Sequence, residues 1–277
     1  MGTFVVKEIT KSGNKMTIKA FDSLSLLDTP ASVTLPNTIG NLLKTISDKL
    51  HVTFQDYSNE AWSRDTVDFN FTGQYTYRHL LNWIGEYEGI YFFGSKAMPN
   101  NNSSDIYFMK SDFPVVSQVI NNTMYTTAEV ALYETKKIEK VQAQSTFDDI
   151  GYIVGTGTNA YVITGNPLFY TNSKMSEQMV RVSTLYNQIK DLSYTPATIN
   201  LLEDFRLDCG SQIHFLYREY DSKISDKTVF LMRKTINSKG VVFESVGSPT
   251  RDQVSLSTDP NIIALNNKTN ELVRDVN

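Results

Sequence analysis

Cysteine occurs once in the 277 residues, at Cys209. A single thiol excludes an internal disulfide framework and a multi-cysteine zinc site, and it fits synthesis in a reducing compartment. Basic charge is not in excess either. The 26 Lys and Arg face 30 Asp and Glu, a net −4 that offers no general positive field to nucleic acid or an anionic membrane and points to proteins as partners. Histidine is scarce. His51, His79 and His214 stand in separate predicted elements with no H-x-x-x-H or H-E-x-x-H spacing, so no metal site is expected. No run approaches the roughly 18 to 20 apolar residues of a membrane span, and the opening MGTFVVKEITKSGNK lacks the apolar core of a secretory signal. Neither a membrane anchor nor secretion is expected. The N-x-S/T matches at Asn70, Asn121 and Asn267 are therefore chance.

What the chain does have is aromatic and β-branched residues. Fifteen Tyr and fifteen Phe sit largely in Thr- and Val-rich runs, which favour strand over helix. An opening hairpin is predicted from the alternation Phe4, Val6, Glu8 and Met16, Ile18, Ala20 around Ser12-Gly13-Asn14. A hairpin alone is marginal, so it is expected to belong to a larger sheet. Ser23 to Asp28 reads as a short helix stopped by Pro30. Ile39, Leu42, Leu43, Ile46 and Leu50 have helical spacing, as do Leu80, Leu81, Trp83, Ile84 and Tyr87 in a helix from Thr76 to Glu88 that Gly89 can end. Strands are expected at 90–93, 105–109, 124–132, 138–143, 151–154 and 159–164, then a long helix at 174–192 ended by Tyr194-Thr195-Pro196. The apolar clusters at 213–217, 229–232 and 240–245 read as an antiparallel meander. Residues 98–104 read as an exposed loop, and the stretch from about 254 as a loose polar tail.

The residues of catalysis are thinly represented. Val154-Gly155-Thr156-Gly157-Thr158-Asn159-Ala160 superficially matches a dinucleotide fingerprint. That motif needs a helix amino terminus for the pyrophosphate, and here the β-like Tyr161-Val162-Ile163-Thr164 follows, so a glycine-rich hairpin turn is the reading. Glu60, Asp65 and Asp68 near Trp62 contain the residue types of a glycosidase pair, as does Asp148-Asp149, but such pairs are defined by separation in space. Cys209 has no identifiable base and G-x-S-x-G is absent, so no nucleophilic mechanism is expected. No catalytic residue, cofactor or metal is assigned.

Four segments, in order, resemble the hub or minor structural proteins of long-tailed phages and prophages of Gram-positive bacteria, including the amino-terminal regions of tail-associated lysins. The first is Phe4 to Glu8 with Lys15 to Leu24, similar to a hairpin ending in an A-x-D step before a short helix. The second, Tyr75 to Glu86, resembles Y-T-x-R-x-x-L-x-W-I-A-E. The third, Tyr161 to Leu168, resembles I-x-x-N-P-L at a strand end leading to a long helix. The fourth, Tyr194-Thr195-Pro196 with Leu207 to Ser211, stands where the family has Y-x-P and L-x-P-G-D; Cys209 replaces the usual proline and Ser211 the usual aspartate. The match spans roughly 4–247.

The resemblance implies an α+β, strand-rich fold of small β-barrel, tube-type domains with an inserted α/β domain and one long helix. Residues 1–21 would be a hairpin of a first barrel truncated upstream, 22–115 the insertion, 116–250 a second barrel with helix 174–192, and 251–277 a polar tail. It implies a homotrimeric ring continuing the tail tube, docking distal tail protein, tape measure and fibre proteins and passing DNA only as cargo, in a virion tail made in the host cytoplasm. On this reading Arg78 and Trp83 anchor the insertion, while Asn166, Pro167 and Gly210 shape the barrel. All five could equally be core or turn positions. The alternatives from other classes are a carbohydrate-binding receptor module and the non-catalytic part of a tail-associated cell-wall hydrolase.

Overall fold

The hairpin forms where alternation placed it. Strand β1 (Val5–Ser12) pairs antiparallel with β2 (Lys15–Phe21) across a turn with Gly13 at φ +58. The register shifts between Val6 and Glu8, leaving Lys7 without a partner. The computed structural model describes residues 5–55, 57–69, 73–94, 105–110, 115–145, 149–170, 175–203, 207, 209–219, 223–237 and 240–247. The expected loop at 98–104 and tail from 254, and Phe4, Asn70, Asp148, Lys174, Asp208 and Asn267, lie outside these residues.

Residues 23–27 form a short 3-10 helix. Strand β3 (Asn37–Thr38) leads into α1 (Ile39–Leu50), whose first turn is capped by the Thr38 hydroxyl accepting from the Asn41 N–H. Ile39, Leu42, Leu43 and Ile46 form its buried stripe. After β4 (Thr53–Phe54) and β5 (Thr66–Val67) comes α2 (Tyr77–Glu88). Its start is a reciprocal box: the Thr76 hydroxyl accepts from the His79 N–H, and His79 Nδ1 accepts from the Thr76 N–H. Gly89, at φ +64, ends it in the left-handed conformation that an L side chain resists.

Strands β6 (Ile90–Phe93) and β7 (Asp105–Lys110) pair antiparallel, and β4 adds to β7 in parallel. Next come β8 (Val115–Ile120), β9 (Tyr125–Val130), β10 (Lys140–Gln144), β11 (Tyr152–Gly155) and β12 (Ala160–Thr164). The sheet order β11-β10-β12 puts β10 in the middle, antiparallel to β11 and parallel to β12. The expected glycine-rich hairpin turn at 155–159 is therefore corrected. The segment crosses the end of β10 instead of joining neighbours, and Gly155 and Gly157 permit it: a Cβ there would stand 2.3 Å from the Glu139 carbonyl oxygen or 2.6 Å from its carboxylate.

Helix α3 (Met175–Ile189) covers one face of that sheet. β13 (Ala197–Leu201), β14 (Gln212–Arg218), β15 (Ile224–Phe230), β16 (Arg233–Asn237) and β17 (Gly240–Ser245) complete the chain order. The expected simple meander is also corrected: its strands divide between two sheets, ordered β16-β17-β13-β9 and β15-β14-β8, with β8 parallel to β14. The division follows from burial. Ile199, Leu201, Val241 and Phe243 on one sheet face Ile213, Phe215 and Val229 on the other, in a core that a flat meander could not close.

The fold is thus α+β and strand-rich, with two apolar cores. The first takes side chains from both sides of residue 115, from Leu27 through α1, α2 and β7 to β10–β12 and α3. The second lies between the two sheets just described. Among the described residues no sheet closes into a barrel, and no helix is long and apolar enough to cross a membrane.

Candidate functional site

Helix α2 and strand β6 form the axis on which four of the five singled-out residues converge. Arg78, on the first turn of α2, donates from Nε to Asp28 Oδ1 at 2.5 Å and from a terminal nitrogen to the Leu24 carbonyl at 2.6 Å. It ties the 3-10 helix to α2, and its hydrogen bond holds the Asp28 carboxyl below the usual carboxylate range. Trp83, one turn on, packs edge-on against Phe69 at 5.9 Å and stacks with His79 at 6.3 Å.

Asn166 is 1% exposed and reaches back to the same helix. Its Nδ2 donates to the Trp83 carbonyl at 3.0 Å and to Glu86 Oε2 at 2.9 Å, while its Oδ1 accepts from the Leu168 N–H at 3.0 Å. One amide thus links two elements: it follows β12, begins the 3-10 turn of Pro167–Tyr170 with Pro167 as first residue, and fixes that turn to α2. Burial raises the Glu86 carboxyl above its ordinary value, with the Asn166 hydrogen bond opposing.

Gly210 joins the second core to this axis. Its φ is +90, its N–H donates to the Leu231 carbonyl at 2.6 Å, and a Cβ there would stand 1.5 Å from the Tyr91 hydroxyl of β6. Between the cores opens a cleft of about 640 Å³, lined by Leu81, Glu86 and Tyr91 on one side, Leu185 and Ile189 of α3 on another, and Gly210 with Phe230 to Met232 on the third. Its walls are mainly apolar, and among the described residues Glu86 is the one carboxylate in the lining. Such a joint can hold two bodies in fixed relation. Cys209 stands in the same lining, beside Gly210.

Sequence reasoning missed a second tie to α2, made by α3. Arg181 of α3 donates to Glu88 Oε2 at 3.2 Å, pairs with Asp65, and lies 5.1 Å from the centre of the Tyr87 ring. The Glu88 side chain is 3% exposed and its Oε1 has no hydrogen-bond partner among the described residues. Burial pushes its carboxyl up to about 8 despite the opposing pull of Arg181. Asp65 is thus ion-paired with Arg181 and also acts on Glu88, whose carboxyl its charge and hydrogen bond help to raise. The helical spacing of Arg181 with Val182 and Leu185 offered no signal, because Asp65 and Glu88 are distant in sequence.

The glycine-rich segment is also accounted for structurally. The Glu139 carboxylate accepts the N–H groups of Thr158 and Asn159, each at 2.8 Å, and these hold it below its ordinary pKa. Among the described residues no group of three or more His, Cys, Asp or Glu is placed to hold a metal ion. His79 acts in the helix cap, and His214 Nδ1 lies 3.2 Å from Asp226.

No protein-family model matches the chain, and no curated protein matches it. Partial likenesses occur among solved structures. A 43 kDa tail protein of prophage MuSo2 from Shewanella oneidensis is 11% identical with a TM-score of 0.48, over 87% of this chain and 74% of that one. Two structures of the phage P2 baseplate in its activated conformation, one of them with Ca, contain chains 9% identical with TM-scores of 0.33, over 88% of this chain and 74% of theirs.

Proposed function

We propose that the chain is a non-enzymatic structural component of a phage or prophage tail tip, a hub assembling as a trimer around the tail axis. The observation that carries this reading is the α2 junction. The four segments that resemble the hub family are dispersed over more than two hundred residues, yet three of them meet directly, Leu24 on Arg78 and Asn166 on Trp83 and Glu86, and the fourth stands with Gly210 against Tyr91 of β6, the strand that follows α2. Residues that resemble a pattern because they build one joint should touch, and these do. One departure lies within the joint: the pattern's alanine is Gly85 here, where a Cβ would come 2.8 Å from the Ile90 carbonyl oxygen.

On this reading residues 22–115 are a peripheral insertion and 116–250 a barrel-type unit whose two sheets complete their closure against neighbouring protomers. Ring closure removes exposed sheet edges. The lumen passes DNA and tape measure, and the outer face docks distal tail and fibre proteins. The test is immunogold electron microscopy of particles from a phage or prophage that encodes the chain. Label at the tail end is expected. Unlabelled particles would overturn the reading, and glycan-array binding together with unlabelled tail ends would favour the receptor-module alternative.

A further inference from the structure

We propose that the β1–β2 hairpin is a docking arm that lays an apolar face on the acidic body of a second copy of this chain. Directly opposed residues of an antiparallel pair share a face. Val6 opposes Ala20, Ile9 opposes Ile18, and Lys11 opposes Met16. Val6 and Ile9 are three apart and would fall on opposite faces of a regular strand. The register shift at Lys7 returns both to one side, so a continuous stripe of Val6, Ile9, Ile18 and Met16 is built by an irregularity in the pairing. The other face carries the Glu8–Lys19 ion pair at 2.7 Å, with Thr10 and Thr17 opposed beside it.

That stripe is uncovered: Val6 is 52% exposed, Ile9 62%, Met16 62% and Ile18 55%. Among the described residues no third strand joins the hairpin, so both outer edges keep unpaired backbone groups, and a lone two-stranded ribbon is marginal in water. Charge selects the occupant. Residues 5–21 contain four lysines and one glutamate, a net +3; the whole chain is −4, so the remainder carries −7. The complementary charge is on this chain's own body, where Lys7 acts on Asp28, and the apolar stripe stays exposed all the same. A second copy supplies that charge. The inference does not depend on the tail reading.

The test is sedimentation velocity of the full chain over a concentration series, for wild type, Ile9→Asp/Ile18→Asp and Lys11→Glu/Lys15→Glu, with circular dichroism confirming the fold. The wild type self-associates on this proposal. The aspartate pair weakens association by about 30-fold or more, the scale of losing a central interface contact. The charge-reversed pair, which leaves the apolar stripe intact, weakens it as well, and raising salt mimics that second effect. A wild type monomeric throughout, or association unchanged in the aspartate variant, overturns the proposal. So does a monomer that floats with phosphatidylserine vesicles, which would make the basic amphipathic arm a membrane contact. None of these outcomes alters where antibody labels a particle, so the docking arm and the placement in a tail fail separately, while a monomer in solution would count against both the arm and the trimer.

Discussion

Replacing Asn166 by leucine tests the α2 junction most directly. The amide makes three hydrogen bonds: two donated, to the Trp83 carbonyl and the Glu86 carboxylate, and one accepted from the Leu168 N–H. Leucine is close in volume and leaves all three partners unmatched in a position 1% exposed. A buried polar group stripped of its partner costs about 1–3 kcal/mol. Glu86 is only partly buried and recovers some solvation, so the sum is about 2–4 kcal/mol, out of a total stability of roughly 5–15 kcal/mol for a typical domain. The melting temperature should fall by about 5–12 °C at the usual few degrees per kcal/mol for a chain of this size. The assay is urea unfolding with thermal melts as a check, and NMR of the Glu86 carboxyl, whose pKa should rise further without its donor. A loss below about 1 kcal/mol, or an unmoved Glu86, would refute the claim that this amide ties β12 to α2.

Three further perturbations have defined outcomes. Glu88 titrates near 8 in the folded protein and near its ordinary value of about 4.3 when unfolded. The folded state holds the proton more tightly, so this contribution is complete below the unfolded value and is lost as pH rises through about 8. Glu88→Gln should flatten the fall in melting temperature between pH 5 and 8.5 and stabilise the protein at the alkaline end, by a few kcal/mol at most; a wild-type melting temperature that rises over that window would mean Arg181 keeps the carboxylate ionised. Gly210→Ala should cost about 1–3 kcal/mol from the left-handed backbone alone, plus the clash with Tyr91, and adding Tyr91→Ala in urea titrations should return only the clash component. Arg78→Ala should cost no more than about 1 kcal/mol, because Asp28 is 59% exposed and the pair is solvent-screened, with a loss that shrinks in high salt.

The local elements were legible because their signals are local. The stripes of α1 and α2, the stop at Gly89, the turn at Gly13 and the strands β6, β7 and β10–β12 follow from spacing, and the structure places each within a few residues of its expected position. The strands β8, β13 and β16 escaped notice, as did the two-residue strands β3, β4 and β5. Ala197–Leu201 is a short alternating run after a proline, and Val115–Ile120 pairs in parallel with a strand nearly a hundred residues on, which no neighbouring residue announces. The reciprocal box at α2 also escaped, since His79 fills the place usually held by an acid or amide.

By itself the sequence determined the α+β class, the stop of α2 at Gly89, the paucity of catalytic motifs and the identity of the five residues worth watching. Tertiary structure alone decided that Asn166 meets Trp83 and Glu86, that Gly210 meets Tyr91, that Arg181 joins Glu88 to Asp65, and that the supposed meander divides between two sheets. The physical reason is range: hydrophobic periodicity and turn chemistry act over a few residues and leave a trace in order. Parallel pairing, buried ion pairs and the facing of one sheet by another depend on what remains unburied once every element has formed. The β1–β2 hairpin stands at that boundary, its strands written in its own alternation and the exposure of its apolar face visible only when the rest of the chain has folded away from it.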